Sequence, residues 1–285
     1  MKKEVCLISM CMLLITVTVL PVTGSINDNT DFKKETDDYD DLIQQVTDKG
    51  FILDDDWPQQ NKLLASDGAA YDHFGYSVSI DGDYAIVGAR HDDDNGVDSG
   101  SAYIFTRSGS TWTEQAKLLA TDGEAGDEFG YSVSIDGDYA IIGAHLEDGT
   151  TVDSGSAYIF IRSGSAWTHQ AKLTGLNEEA DDEFGCSVSI NGDWAIVGAR
   201  YDDDNGVDSG SACMFTRSGS VWIHEAKLLA TDGEAGDEFG CSVSIDGDYA
   251  IIGAYLEDGT TVDSGSAYIS YAQALPGLSR RNCLH

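Results

Sequence analysis

The chain has 285 residues, with 16 Lys and Arg against 50 Asp and Glu, giving a formal net charge of −34 and a pI near 4.1. A field of that sign repels nucleic acid and anionic lipid at long range, so neither is an expected partner. Val, Ile, Tyr and Phe still recur in register, unlike in a disordered acidic chain, and 32 Gly against 3 Pro suits many short strands joined by tight turns.

Residues 1–24 have the order of a secretory signal peptide: Lys2 and Lys3, an apolar run from Val5 to Val22, then small residues at Thr23, Gly24 and Ser25. The expected location is outside the cell or at its surface. The alternative is a retained membrane anchor, because the run is close to the roughly 18 residues a spanning helix needs. No second apolar run follows, so no other membrane span is expected. Residues 25–56 form an acidic linker containing Asp37, Asp38, Asp40, Asp41, Asp54, Asp55 and Asp56.

From Trp57 the chain repeats. Phe-Gly pairs start at Phe74, Phe129, Phe184 and Phe239, each 55 residues after the last. Trp57, Trp112, Trp167 and Trp222 keep the same step, as do Lys62, Lys117, Lys172 and Lys227. So do the Gly-Ala pairs Gly88-Ala89, Gly143-Ala144, Gly198-Ala199 and Gly253-Ala254. Such a period without helical patterning predicts a β-propeller or a stacked β array. Residues 118–159 and 228–269 differ only at Tyr131/Cys241 and His145/Tyr255, the trace of a tandem duplication.

One unit predicts four strands. Tyr76–Ile80 alternates large apolar and small polar residues. Asp81-Gly82 turns into Tyr84–Ala89. An acidic loop leads to Ser101–Thr106, and Ser108-Gly109 turns into Trp112–Leu118. Four antiparallel strands per unit make a propeller blade. The expected fold is therefore all-β, a propeller of about four blades over residues 57–271, with an irregular tail at 272–285. The repeat starts on a lone fourth strand, Trp57–Leu64, and ends after a third, Ser266–Ile269. Pairing of these two would close the ring and remove its exposed edges. Ser270 replaces the Phe of Phe105, Phe160 and Phe215, so the alternative is the remnant of a larger ring, open or completed by another chain.

Cys186 and Cys241 occupy the slot of Tyr76 and Tyr131, and Cys213 that of Tyr103 and Tyr158. These scattered replacements predict buried thiols, not a disulfide or zinc framework.

Phe74-Gly75 followed by Gly88-Ala89, with three later copies (Phe129-Gly130, Phe184-Gly185 and Phe239-Gly240 with their Gly-Ala partners), resembles the FG-GAP repeat of integrin α-chain propellers and of many microbial secreted proteins. The likeness is closest to the microbial form. It implies a β-propeller, secretion, and a role in adhesion or macromolecular contact. Two features depart from the pattern. The Pro that follows Gly-Ala in the family is replaced by Arg90, His145, Arg200 and Tyr255. The integrin calcium loop between the first two strands is missing: two or three residues around Asp81, Asp136, Asn191 and Asp246 cannot wrap a cation needing six to eight oxygens.

Alternate connections of an antiparallel blade emerge on one face, so both acidic loops of each unit share it. The candidate ligand-binding residues are Asp92, Asp94, Asp98, Asp122, Glu124, Asp127, Asp202, Asp204 and Asp208. The turns carrying Arg107, Arg162 and Arg217 leave the opposite face nearer neutrality. Asp92, Asp94, Asp98 and the Asn95 carbonyl offer enough oxygens for calcium, but His91 falls at the first ligand position and no terminal Glu follows. The other reading is a solvated turn in which Asn95-Gly96 supplies the left-handed step. No nucleophile elbow, phosphate loop or spaced His or Cys set occurs. The expected function is a non-enzymatic binding or adhesion module for an extracellular protein or glycan. The alternatives are a polysaccharide-acting enzyme using loop carboxylates, and a truncated structural repeat.

Overall fold

The computed structural model describes residues 59–149, 151–177, 179–259 and 261–272. The chain divides into two units, Met1–Gln59 and Gln60–His285. Every described strand lies in the second unit. The expected signal segment, linker and C-terminal tail beyond residue 272 lie outside the described residues.

Fifteen strands and no helix occur among the described residues. The first sheet holds β1 (Val78–Asp81), β2 (Tyr84–Ala89), β3 (Ser101–Ser108) and β4 (Thr111–Leu118). The second holds β5 (Ser132–Asp136), β6 (Tyr139–Ala144), β7 (Ser156–Ser163) and β8 (Ala166–Leu173). The third holds β9 (Phe184–Asn191), β10 (Trp194–Ala199), β11 (Ser211–Ser218) and β12 (Val221–Leu228). The fourth holds β13 (Phe239–Asp246), β14 (Tyr249–Ala254) and β15 (Ser266–Tyr271). Each is an antiparallel meander in chain order.

The hairpin between β1 and β2 has a two-residue loop, Gly82-Asp83, because Asp81 pairs with Tyr84. Gly82 takes φ +53°, the left-handed region that the first loop position of a primed hairpin turn demands. The turn therefore sits one residue later than the Asp-Gly pair suggests.

β2, β6 and β10 are buried along nearly their whole length, β6 and β10 between two neighbouring sheets and β2 between the second sheet and the segment that holds Leu63, Ala65 and Phe74. Alternate residues serve opposite neighbours. Ile86, Ile104 and Leu118 pack forward onto Phe129, Val133 and Ile142 of the second sheet. Val87, Tyr103 and Phe105 face back onto Leu63, Ala65 and Phe74. The second and third junctions repeat this pattern.

The Phe-Gly and Gly-Ala pairs meet at these junctions. Phe129 is fully buried and sets its ring edge-on to Tyr158 and Phe160, with centroids 5.4 and 6.1 Å away. The carbonyl of Gly130 approaches Gly88 so closely that a Cβ there would stand 2.0 Å from the oxygen. Ser77 Oγ donates to the same carbonyl at 2.7 Å. Ser132 and Gly185, and Ser187 and Gly240, repeat the bond. Gly and Ser bring the inner strands together while Phe wedges the gap beside them.

Among the described residues the ring closed by an N-terminal strand is not formed. Gln59–Leu64 is not a strand, and β15 pairs only with β14 among the described residues. Ile251 is 43% exposed, whereas Ile86, Ile141 and Ile196 at the same repeat position are wholly buried. At the other end Val78 is 68% exposed, against 8% for Val133. The physical reason is that the three junctions share one set of contacts, hence one geometry, and three such steps leave the end faces apart. Among the described residues the structure is three four-stranded sheets and one three-stranded sheet in succession.

Candidate functional site

The acidic loops are built as one piece across sheet boundaries. The β2–β3 loop of the first sheet accepts hydrogen bonds from the loop that leads into the second. Gly126 N donates to Val97 O, Glu128 N to Asp98 O, and Phe129 N to Ser99 O, at 2.9, 3.2 and 2.9 Å. Asn95 Nδ2 donates to Ala120 O at 2.9 Å. The third and fourth sheets repeat the pattern through Gly236, Glu238 and Phe239. Asp98, Asp153, Asp208 and Asp263 each adopt φ between +50° and +56°, a conformation Asp tolerates better than most residues.

Beneath each of the β2–β3, β6–β7 and β10–β11 loops lies one lysine. Lys117 Nζ reaches Asp94 at 2.6 Å, Asp92 at 2.8 Å and Asp67 at 2.9 Å. Tyr103 OH lies 2.7 Å from Asp67 and 2.9 Å from Asp92 and shares its one proton between them. Burial disfavours the Lys117 ammonium, but the hydrogen bonds from these groups outweigh it and hold its pKa above the ordinary lysine value. Lys172 joins Asp122 and Glu147 at 2.8 and 2.7 Å, and Tyr158 OH donates to Asp122. Lys227 pairs with Asp202 and Asp204.

Six of the nine carboxylates singled out from the sequence are thus engaged within the fold: Asp92, Asp94, Asp122, Asp202 and Asp204 by lysine, and Asp127 as a loop cap. Asp98, Glu124 and Asp208 project from the loops instead, Asp98 only 3.7 Å from His91 Nδ1. The proposed calcium set of Asp92, Asp94, Asn95 and Asp98 does not fit a cation. The Lys117 ammonium already occupies the space between Asp92 and Asp94, and Asp92 Oδ1 accepts Asp94 N at 3.1 Å.

Asp127 is buried and accepts Glu124 N at 2.7 Å; Asp182 does the same for Glu179 N at 2.9 Å. Burial pushes both carboxyls up to about 6, the range of a general acid, yet each holds a loop. A folded pKa above the ordinary 3.8 means that the native state binds the proton more tightly. The group then costs stability as pH rises from about 4 through 6 and costs nothing below. Asp127→Asn keeps an acceptor for Glu124 N. We expect thermal denaturation to show this variant more stable than the parent at pH 7.5, with the gain gone at pH 4. An equal gain at both pH values would contradict the assignment.

The family's missing Pro has a physical replacement. Arg90 pairs with Glu128, before the following Phe-Gly, at 2.9 Å, whereas Arg200 pairs with Glu183, before its own Phe-Gly, at 2.6 Å. His145 stacks on Tyr131 at 3.7 Å between these pairs. Burial, reinforced by Arg200 and Arg90, pushes its pKa down to about 3, so it is neutral.

The FG-GAP repeat model matches four segments, residues 57–105, 112–160, 167–215 and 222–270. The chain belongs to the FG-GAP repeat family. Its matched segments span the Phe wedge and the Gly–carbonyl contact that join the sheets. FG-GAP repeats build binding modules, generally without enzymatic activity. No curated protein matches this FG-GAP chain.

A further feature of the loop face escaped the sequence reading. Val97, Val152, Val207 and Val262 are all exposed at the loop tips, one residue before the left-handed Asp. Their own spacing of 55 was the available signal, hidden because the neighbouring carboxylates drew attention to charge.

Proposed function

We propose that this FG-GAP chain is a non-enzymatic binding module acting outside the cell or at its surface, and that its loop face holds a basic segment of a protein partner. The observation that carries this is the row of exposed valines, each beside a projecting carboxylate. Apolar anchors ringed by charge are how protein surfaces recognise one another. Alternating acid favours a Lys- or Arg-bearing partner and speeds encounter. The loops are cross-bonded to neighbouring sheets, so little ordering cost remains to be met on binding. The secretory order of residues 1–24 supports the location.

The test is binding of the full chain to immobilised extracellular proteins and glycans at low and raised salt. We expect basic proteins to be retained, less so at high salt. The double variant Val152→Ser, Val207→Ser should lose at least about tenfold in affinity, a change of about 1.4 kcal/mol. Retention of glycans alone, or salt-independent binding unaffected by that variant, would refute the proposal.

A further inference from the structure

Cys186 and Cys241 hold the same repeat position on neighbouring inner strands, β9 and β13. Both are free thiols in this structure. We propose that they close into a disulfide under oxidising conditions, a covalent clip between the third and fourth sheets that opens on reduction.

The first ground is placement. β9 and β13 bond to each other along their length: Ser187 Oγ donates to Gly240 O at 2.7 Å, Ile245 N to Ser189 Oγ at 3.2 Å, and Gly247 N to Asn191 Oδ1 at 3.0 Å. Cys186 Sγ lies 3.4 Å from Gly198 O, and Cys241 Sγ lies 3.4 Å from Gly253 O, so the two thiols sit alike on their strands. Cys186 Sγ is also 3.7 Å from Gly240 O, the carbonyl of the residue before Cys241. At the first junction the same two positions hold Tyr76 and Tyr131, whose ring centroids are 5.1 Å apart. A disulfide spans Cα atoms about 4.4–6.8 Å apart, a separation that inner strands in direct contact provide.

The second ground is what the cysteines replace. At the first junction Tyr76 and Tyr131 share the Arg90 guanidinium, 4.2 and 5.5 Å from their ring centroids. At the third, Arg200 lies over Tyr201 instead and pairs with Glu183. Two thiols offer far less contact than two rings and a shared cation, and a covalent bond makes good the difference. Residues 118–159 and 228–269 differ only at Tyr131/Cys241 and His145/Tyr255. Those two positions touch, since His145 stacks on Tyr131. The whole divergence between the two stretches is therefore confined to one spot, and it sets a thiol beside Cys186.

The exchange balances with a low-molecular-weight disulfide, oxidised glutathione, as the oxidant. Burial pushes the Cys186 thiol up to about 12, so alone it stays protonated and unreactive. Cys241 is less buried and reacts first. Its thiolate attacks one glutathione sulfur, the reagent's S–S bond breaks and one glutathione thiolate leaves. Cys186 then gives its proton to that thiolate while its sulfur attacks Cys241 Sγ. The mixed disulfide breaks and the second glutathione is released, taking a proton from water. Two cysteine thiols are oxidised to one disulfide, and one reagent disulfide is reduced to two thiols. The bond rests on the placement of the thiols and not on where the chain acts; the location proposed above is one in which it would persist.

The experiment is incubation of the full chain with oxidised glutathione, alkylation of the remaining thiols, proteolysis and mass spectrometry. We expect a peptide linking Cys186 to Cys241, with Cys213 of β11 alkylated. The oxidised chain should melt about 5 °C or more above the reduced chain, because the bond closes a long loop. Cys241→Tyr, which restores the residue of the matching stretch, should fold and abolish that difference, while Cys213→Ala should preserve it. Four results would each overturn the inference: thiols recovered unreacted, glutathione held on Cys241 without the linked peptide, Cys241 joined to Cys283 instead, or equal melting temperatures for the oxidised and reduced chains.

Discussion

Gly143→Ala is expected to cost about 3 kcal/mol or more in urea denaturation, at the upper end of what overpacking does. The backbone of Gly143 is ordinary extended strand, so conformational freedom is not the issue. The added methyl would stand 2.0 Å from the Gly185 carbonyl oxygen and 2.4 Å from Ser132 Oγ. A hydroxyl can rotate, but the carbonyl belongs to the next sheet's inner strand and is itself bonded by Ser132. Relief requires the second and third sheets to part, which loosens the cluster of Ile141, Ile159, Phe184 and Val188. The repeat supplies its own control. Gly253 has the serine contact, at 2.4 Å from Ser242 Oγ, but no following carbonyl. Gly253→Ala should cost much less. Equal losses at the two positions would mean that the sheet junction is not the source of the effect.

The junction was legible in the sequence because it rests on local chemistry repeated at a fixed step. Phe-Gly, Gly-Ala and the small Ser of Tyr76–Ile80 name the wedge, the close approach and the bond, and all recur at each junction. Closure was not legible. It depends on the rotation between neighbouring sheets, a sum of packing at every layer, and no residue announces that angle. The phase of the repeat marked Trp57–Leu64 as a fourth strand, but the described part of that segment, residues 59–64, is not a strand. The loops were half legible. Composition located the acid, while the burial of Asp92 and the exposure of Val97 follow from how two loops from different repeats interlock. The lysine was visible as a periodic residue, and its role was hidden because its partners lie 23 to 50 residues away.

Lys117→Met is expected to be the most damaging side-chain change on the loop face. Asp92 is almost fully buried, and its Oδ2 atom has only the Lys117 ammonium and the Tyr103 hydroxyl. Asp67 and Asp94 share that same ammonium. Without it, three carboxylates converge on one point in a chain that already carries −34. Removing one partner of a buried pair typically costs about 3–5 kcal/mol, because the remaining charge stays buried without compensation. The sign of the pH response follows. The Lys117 hydrogen bond holds the Asp67 carboxyl below its ordinary value, so the stability this contributes is present at neutral pH and is lost as pH falls through the carboxylate range; the deficit of the variant therefore shrinks in acid. Adding Asp92→Asn to Lys117→Met should return part of the loss at neutral pH, a coupling that a double-mutant cycle measures. An unchanged melting temperature in Lys117→Met would show that Asp92 is solvated in solution. One lysine beneath each acidic loop is, on this view, what lets the first three repeats display so many carboxylates without their repulsion opening the loops.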